Sequence, residues 1–303
     1  MTDYTYYTAD VFTTEPFGGN PLAVFPEAEG LSGERMQLIA RELNLSETVF
    51  ILPPLDSRHT RRLRIFTPVE EIPFAGHPTV GSAILLAHHG HIQAATGETA
   101  LVFEEKVGPV PVTLCRRAGE VDFAQLTTAG RPEYGPQPPL ARDLAALLSL
   151  EAADMLEEGI QGVSCGVPFL FVPVQTLEAV RRVRLRLDLW ERTLGDWWTS
   201  MVFLFCRHTE GEGAHIHARM FAPAMGIPED PATGAACAAL GAYLGRREGP
   251  AQATLSWVVE QGYEMGRPSR LEVEADKEGG EVLRVRVGGS AVAISRGVMT
   301  LPG

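Results

Sequence analysis

Two segments of the chain are apolar on every face when plotted at helical spacing. Residues 78–89 and 231–244 contain no Asp, Glu, Lys or Arg. Each begins at a proline, Pro78 or Pro231, and is followed by a glycine, Gly90 or Gly245. Proline favours the first turn of a helix and glycine favours the position just past its end. A helix without a polar face is buried, so each segment is predicted to be a core helix.

Short segments rich in Val, Phe, Thr and Ile flank both helices and predict β-strands. In the first half of the chain these strands are residues 5–12, 22–25, 48–52, 61–66, 100–103 and 110–114. An amphipathic helix is predicted over residues 33–43, with Ser32 as its N-cap and Asn44 at its end. Strands around one buried helix indicate a curved sheet wrapped around that helix.

The two apolar helices belong to a longer internal repeat. Residues 64–68 match residues 219–223, and Ile72-Pro73 match Ile227-Pro228, both at an offset of 155. Further matches follow in the same order: residues 19–25 with 166–172, 46–50 with 200–204, 77–81 with 230–234, and 101–108 with 255–262. Ordered matches at a nearly constant offset indicate a duplication. We therefore predict an α+β fold of two pseudo-symmetric domains, each a curved, mostly antiparallel sheet around a buried central helix.

The repeat places the domain boundary in the Gly- and Pro-rich residues 127–139. We predict an N-terminal half-motif over residues 1–129 and a C-terminal half-motif over residues 130–303. The last predicted strand, residues 288–299, either stays with the second half or returns to complete the first sheet. In a two-domain protein of this kind the ligand site is expected in the cleft between the halves.

Composition excludes several classes of protein. The chain has 26 Lys and Arg against 38 Asp and Glu, a net charge of −12, which argues against nucleic-acid or anionic-membrane partners. The N-terminus lacks the pattern of a signal peptide, and no apolar stretch is long enough to span a bilayer. The four cysteines lie far apart in sequence and predict reduced thiols. We expect a cytoplasmic protein without a metal.

The starts of the two apolar helices carry the first candidate chemistry. His77 and Asp230 occupy equivalent positions directly before the two prolines. A helix N-terminus attracts a bound carboxylate, and small residues there allow a ligand to approach the backbone: Gly76, Gly81, Thr233, Gly234 and Ala235. Asp230 has an alternative role as an ordinary N-cap. An imidazole and a carboxylate at the same site could position or relay a proton.

Glu47 is the second candidate. It stands at the start of an apolar strand, where partial desolvation is expected to raise its pKa and make it a competent base. Its counterpart in the repeat is Met201, which does not titrate. From local sequence alone, the alternative is a solvated charge at the end of a strand.

These residues fall within motifs that resemble the phenazine-biosynthesis (PhzF-like) family of isomerases and epimerases. The motifs are Asp10-Val11-Phe12-Thr13, Gly19-Asn20-Pro21-Leu22-Ala23-Val24, Ser46-Glu47-Thr48-Val49-Phe50, Phe66-Thr67-Pro68, Phe74-Ala75-Gly76-His77-Pro78-Thr79, Glu229-Asp230-Pro231-Ala232-Thr233-Gly234, Gln261-Gly262 and Met265-Gly266-Arg267-Pro268-Ser269. The resemblance extends over almost the whole chain, in family order. It implies a diaminopimelate-epimerase-like fold, commonly a homodimer, that works without cofactor or metal.

The resemblance also implies roles for individual residues. Glu47 moves the proton, aided by His77 and Asp230. We expect the substrate, a small carboxylate-bearing metabolite, to contact residues of the same motifs: Asn20, Ser46, Gly76, Thr79, Thr233, Gly234 and Ala235. The alternative to an isomerase or epimerase is a member that keeps the fold and binds a small molecule or a protein without turnover.

The chain differs from related enzymes at two places, and these differences limit which activities the resemblance implies. The family member that acts on dihydro-hydroxyanthranilate has a Ser after the Pro-Ala-Thr-Gly run, where this chain has Ala235. Losing that hydroxyl suggests a different substrate. Related racemases place a Cys at each helix start, and Cys165 and Cys237 lie elsewhere, so a two-thiol racemase is not expected.

Other histidines and tryptophans carry weaker signals. His215 and His217 share one face of a predicted strand, and without an acidic or Cys partner nearby in sequence they are interpreted as strand surface rather than a metal pair. His88, His89 and His91 surround a helix C-terminus, where histidine favours the helix dipole. Trp197 and Trp198 are interpreted as packing residues.

Overall fold

A computed structural model describes residues 1–117, 120–128 and 130–301 of the 303-residue chain. The α-helices in these residues are α1 (Gly33–Leu43), α2 (Gly76–His88), α3 (Ala141–Leu148), α4 (Leu177–Arg182), α5 (Leu187–Leu194) and α6 (Gly234–Arg247). The strands before α3 are β1 (Thr2–Val11), β2 (Asn20–Phe25), β3 (Glu47–Leu52), β4 (Arg61–Phe66), β5 (Glu71–Ile72), β6 (Glu98–Glu105), β7 (Gly108–Arg117), β8 (Glu120–Thr127) and β9 (Glu133–Tyr134). Those after it are β10 (Gln161–Ser164), β11 (Pro168–Pro173), β12 (Val202–Cys206), β13 (Ile216–Ala222), β14 (Ile227–Asp230), β15 (Ala253–Gln261), β16 (Ser269–Glu278) and β17 (Glu281–Leu301).

The chain divides into two compact units. The first comprises Met1–Ala129 together with Val287–Gly303, and the second comprises Gly130–Arg286. The long strand β17 therefore begins in the second unit and ends in the first. Its last part pairs antiparallel with β1, from Val11 opposite Ala291 to Thr2 opposite Leu301. Of the two placements considered for the C-terminal strand, the structure has the one in which it returns to the first sheet.

The first unit is a mixed, mostly antiparallel sheet around α2. Strands β2 and β3 are parallel, β3 and β4 antiparallel, β4 and β6 parallel, and β6, β7 and β8 successively antiparallel. Helix α2 packs against β1, β2, β3, β7 and β8, and every residue from Gly76 to Leu86 is buried. The prediction of a core helix is confirmed here, because a helix surrounded by strands has no face for solvent.

The second unit has the same order of pairings. Strands β11 and β12 are parallel, β12 and β13 antiparallel, β13 and β15 parallel, and β15 and β16 antiparallel. Helix α6 packs against β10, β11, β15 and β16. The α+β class is confirmed, and the matching topologies are what a duplication would produce. The duplication itself, and the domain limits derived from it, stay predictions.

The helix ends show which local signals decided the structure. The predicted limits of α1 are confirmed: the side chain of Ser32 accepts a hydrogen bond from the backbone of Arg35, and Asn44 is left-handed with φ 52°. The limits of the second apolar helix were wrong. Helix α6 starts at Gly234 and runs past Gly245 to Arg247. A Cβ at position 245 would lie 2.8 Å from Val282 Cγ2, so this glycine permits close packing of helix and strand and does not end the helix.

A carboxylate clamp fixes one loop in the first unit. Glu104, next to the end of β6, accepts hydrogen bonds from the backbone N–H groups of Leu55 and Asp56, each at 2.7 Å. His59 Nδ1 lies 2.8 Å from the same carboxylate. Two backbone hydrogen bonds to one carboxylate stabilise its charged form and lower the pKa of Glu104. The clamp ties residues 55–59 to β6.

The second unit repeats this clamp with different surroundings. Glu260 accepts hydrogen bonds from the backbone of Glu210 at 2.6 Å and of Gly211 at 2.8 Å. His217 Nδ1 lies 2.7 Å from Glu260, and its Nε2 lies 2.9 Å from Glu264. His217 is fully buried, so its interpretation as strand surface was wrong. The sequence pattern failed because both acidic partners are more than 40 residues away, on β15 and in the turn after it.

Candidate active site

A buried carboxylate and imidazole meet where β3 begins and α2 begins. Glu47 is the first residue of β3 and His77 is the second residue of α2. Glu47 Oε2 lies 3.1 Å from His77 Nε2, and the two side chains are only 9% and 4% exposed. The alternative of a solvated strand-end charge at Glu47 is therefore wrong. Strand β3 lies between β2 and β4 in the sheet, and Leu22 of β2 is paired with Glu47. Glu47 therefore stands at the start of an interior strand.

The imidazole of this pair is neutral. Burial lowers the pKa of His77 to about 3, because a charged ring loses its hydration inside the unit. The two side chains approach at hydrogen-bond distance, although their angles fall outside hydrogen-bond geometry. Catalytic hydrogen bonds are often poorly aligned before substrate binds. A neutral imidazole beside a carboxyl group can share a proton with it and hold it in one orientation.

The other predicted residues of the first unit lie near the same ends of these elements. Asn20, fully buried, starts β2, and Ser46, half-buried, directly precedes Glu47. Gly76 is the first residue of α2. Thr79 lies one turn into the helix, with its hydroxyl 2.7 Å from the Ala75 carbonyl and 2.6 Å from Glu105 Oε1. The substrate contacts expected of these residues stay predictions.

Asp230 is held by a separate network in the second unit. It ends β14 and is buried, with Oδ2 accepting a 2.5 Å hydrogen bond from the Thr233 hydroxyl. The Gln261 amide donates to the Asp230 carbonyl at 2.6 Å and accepts from the Thr233 backbone at 3.1 Å. Thr233 is the N-cap residue of α6, which begins at Gly234, while Ala235 is half-buried. The alternative role of Asp230 as the ordinary helix cap is therefore wrong.

We expect Gly262→Ala to destabilise the protein far more than Gly266→Ala. Both glycines are left-handed, with φ +80° and +68°, but a Cβ at position 262 would lie 2.4 Å from Arg267 O and 2.6 Å from Pro231 O. Position 266 has open space around it. The left-handed backbone costs an alanine about 1–2 kcal/mol, and the clash adds about 1–3 kcal/mol at position 262. Urea unfolding curves of both variants measure the difference, and equal midpoints would contradict the expectation.

The cysteines near α6 are poorly suited to proton transfer. Burial raises the pKa of Cys165 to about 12, and it raises that of the Cys237 thiol further. Only a thiolate acts as a base, and these thiols stay protonated at neutral pH. The four cysteines Cys115, Cys165, Cys206 and Cys237 are free thiols.

The remaining histidines and tryptophans have structural neighbours. His89 stacks on Tyr7 with ring centroids 3.7 Å apart, and His91 Nε2 lies 3.3 Å from the Tyr7 hydroxyl. Trp197 packs against the core of the second unit. Trp198 lies so close to Gly162 that a Cβ there would be 2.9 Å from its ring, so both tryptophans are packing residues as predicted. Among the described residues, no three His, Cys, Asp or Glu side chains are arranged to hold a metal ion.

Comparison with known proteins places this pair of units in a family. A family profile described as phenazine biosynthesis-like protein, PhzC-PhzF, matches residues 9–297. The chain belongs to the PhzF-like family. An uncharacterized isomerase of Mesorhizobium japonicum is 40% identical, over 98% of this chain and 99% of its own. The trans-2,3-dihydro-3-hydroxyanthranilate isomerase of Pseudomonas aeruginosa is 38% identical, over 97% and 98%.

The structural comparison agrees with the sequence comparison. The crystal structure of a Bacillus anthracis phenazine biosynthesis protein of the PhzF family superposes with a TM-score of 0.87 at 27% identity, covering 99% of this chain and all of that one. The diaminopimelate-epimerase-like fold is confirmed, and this PhzF-like chain is an enzyme of the isomerase class. Within the described part of the chain, no α-helix combines the length and apolarity that crossing a membrane takes.

Proposed function

We propose that this protein isomerises or epimerises a small carboxylate-bearing metabolite by moving one proton with Glu47. The observation that carries the proposal is the buried pair of Glu47 and His77, 3.1 Å apart. A carboxylate removed from water and placed beside a neutral imidazole is arranged for general acid–base chemistry, which contributes about 10²–10⁴-fold to a rate. It is not arranged like an ion pair that only stabilises the fold, because burial keeps His77 uncharged.

The proposed reaction breaks one C–H bond and forms another, and the proton held by Glu47 exchanges with solvent between the two steps. Glu47 takes the proton from a carbon next to a carbonyl or diene, and the electron pair moves into that conjugated system. The protonated Glu47 then delivers a proton to a different carbon of the conjugated system, so no net charge or redox change remains. His77 orients the carboxyl group between the two steps. Asp230 is proposed, from the family resemblance, as a further polar group for the substrate.

The substrate class rests on the family and on the helix starts. The Pseudomonas aeruginosa relative is named for trans-2,3-dihydro-3-hydroxyanthranilate, a carboxylate. The exposed backbone N–H groups of a helix N-terminus suit a carboxylate, and Gly76 and Gly234 are the first residues of α2 and α6. Ala235 provides no hydroxyl group beside such a ligand, so we propose a related carboxylate as substrate. We further propose that the enzyme works without cofactor, in the cytoplasm and as a homodimer.

The test is solvent exchange. Candidate carboxylates, including trans-2,3-dihydro-3-hydroxyanthranilate, are incubated with the protein in D₂O and recovered for NMR and mass spectrometry. Acid–base isomerisation predicts deuterium at one carbon of the product, and resistance of the exchange to iodoacetamide, because the buried thiols take no part. Product formed without solvent deuterium under slow turnover, or exchange abolished by the thiol reagent, would contradict the proposed mechanism.

A further inference from the structure

Glu105, a residue outside the motifs given above, contacts the helix that carries His77. Glu105 is the last residue of β6 and is buried, 7% exposed. Its Oε1 lies 2.6 Å from the hydroxyl of Thr79, and that hydroxyl also lies 2.7 Å from the Ala75 carbonyl. Thr79 is two residues beyond His77 in the first turns of α2.

The count of hydrogens assigns the protonation state. The single hydroxyl hydrogen of Thr79 has two acceptors within reach, the Ala75 carbonyl and Glu105 Oε1, and we assign it to the Ala75 carbonyl, which only accepts hydrogen bonds. A second contact of 2.6 Å between Thr79 and Glu105 then needs a hydrogen of its own, which an ionised carboxylate lacks. A protonated Glu105 supplies it and completes the chain from β6 to the helix start.

The surroundings of the second carboxyl oxygen, Oε2, also favour a protonated Glu105. Within the described residues, Glu105 Oε2 is buried without a hydrogen-bond partner. Leaving a full negative charge on such an atom is costly, whereas a neutral carboxyl group tolerates the position far better. Burial accordingly raises the pKa of Glu105 to about 8, against the opposing effect of its contact with Thr79.

The second unit has a neutral residue in the matching place. Gln261 ends β15, which runs parallel to β13 as β6 runs parallel to β4. Its amide contacts Thr233, the N-cap of α6, as Glu105 contacts Thr79 in α2. Both positions therefore hold the start of a central helix with an uncharged side chain that donates and accepts hydrogen bonds.

We infer that Glu105 is a positioning residue for the Glu47–His77 pair, which as a neutral carboxylic acid holds the first turns of α2 through Thr79. The inference rests on the proposed function only for the catalytic role of the Glu47–His77 pair. Whether Glu105 positions His77 can be measured without turnover. Ionisation of Glu105 would remove the hydrogen from the Thr79 contact and loosen the segment that carries His77.

The titratable neighbours of Glu105 do not account for its protonation. The charged groups on the elements around Glu105 are Glu104 and Lys106 beside it in the chain, Arg61, Arg62 and Arg64 on β4, and His77 at the start of α2; Cys115 and Arg116 lie at the far end of β7 and His88 at the far end of α2. The pKa of Glu105 is set by burial and Thr79 instead. The pKa is therefore expected to respond to changes at Thr79 and to be insensitive to salt.

The test follows two NMR signals between pH 5 and 10. In ¹³C-Glu-labelled protein the Glu105 carboxyl carbon, assigned by its loss in Glu105→Gln, is expected to titrate with a pKa near 8 in place of the ordinary 4.5. The ¹⁵N signals of the His77 ring are expected to shift with the same midpoint in the wild type and in Glu47→Gln, and to stay constant in Glu105→Gln. Glu98→Gln, at the exposed start of the same strand, is the control.

Two results would overturn the inference. If the Glu105 carboxyl group is already ionised at pH 6, Glu105 is not a neutral acid in the folded protein. If the His77 ring signals do not shift as Glu105 titrates, Glu105 does not position His77. Both midpoints are measured in the wild type, and the variants serve for assignment and comparison. Failure of solvent exchange, by contrast, would affect only the proposed function.

Discussion

Replacing Glu47 by Gln is expected to lower kcat/KM by about 10²–10⁴-fold, the usual contribution of a positioned acid–base group. The amide keeps the volume of the side chain and its reach toward His77, 3.1 Å away, but it takes up no proton from carbon. The measurement is the initial rate of deuterium uptake, and of product formation, on a carboxylate that the wild type turns over. Thermal unfolding of the variant checks that the fold is intact.

The matched control is Glu42→Gln, which alters an exposed carboxylate near the end of α1 and is expected to leave kcat/KM within about twofold. Glu47→Asp keeps the acid–base group but withdraws it by one methylene, so it should retain more activity than the amide. Undiminished exchange in Glu47→Gln would remove this residue from the mechanism and leave the family assignment untouched.

Replacing His217 by Leu is expected to destabilise the protein by about 3–5 kcal/mol, the usual effect of removing one partner from a buried charged group. The ring of His217 is fully buried between Glu260, 2.7 Å away, and Glu264, 2.9 Å away. Leu fills much of the space but leaves two carboxylates facing each other inside the unit. The measurement is the free energy of unfolding from urea or guanidinium titration, followed by a probe in the second unit.

The control is His215→Leu. His215 lies one residue before β13, and its side chain is exposed. Its ring accepts one backbone hydrogen bond, from Val258, so we expect a loss of no more than about 1 kcal/mol. Equal losses for the two variants would show that the acidic partners do not hold His217 as an imidazolium.

The same cluster predicts a dependence of stability on pH. Burial alone would lower the pKa of His217, but hydrogen bonds to Glu260 and Glu264 outweigh it and raise the pKa to about 9 from 6.5. A pKa raised on folding means that the contribution is complete below pH 6.5 and is lost as the pH rises through 9. The stability difference between wild type and His217→Leu should therefore shrink between those values.

The family and the fold class could be predicted from sequence because their signals are local. The apolar helices need only composition, since a helix without a polar face has to be buried. The cap of α1 at Ser32 follows from one side chain beside its own backbone. The Ser-Glu-Thr motif at Glu47 and the Gly-His-Pro motif at His77 are likewise contiguous, so the sequence presents them without any knowledge of packing.

Contacts between distant segments were beyond sequence reasoning. His217 was misjudged because Glu260 and Glu264 approach it only when β13 and β15 pair. Glu105 was overlooked because a glutamate at the end of a strand is usually solvated, and because its match with Gln261 follows from the strand pairings and not from the sequence repeat. The limits of α6 were misplaced because Gly245 packs against β17 and so stays helical.

The sequence by itself determined the elements, the repeated order of motifs and the family, because these depend on neighbours along the chain. The tertiary structure decided the protonation and the partners. Glu47 is buried 3.1 Å from His77, so its carboxylate lies inside the unit rather than on the surface. The pairing of distant strands brings Glu105 and His217 next to the groups that surround them. Charge states depend on desolvation and on groups within a few ångströms, and a linear sequence contains neither quantity.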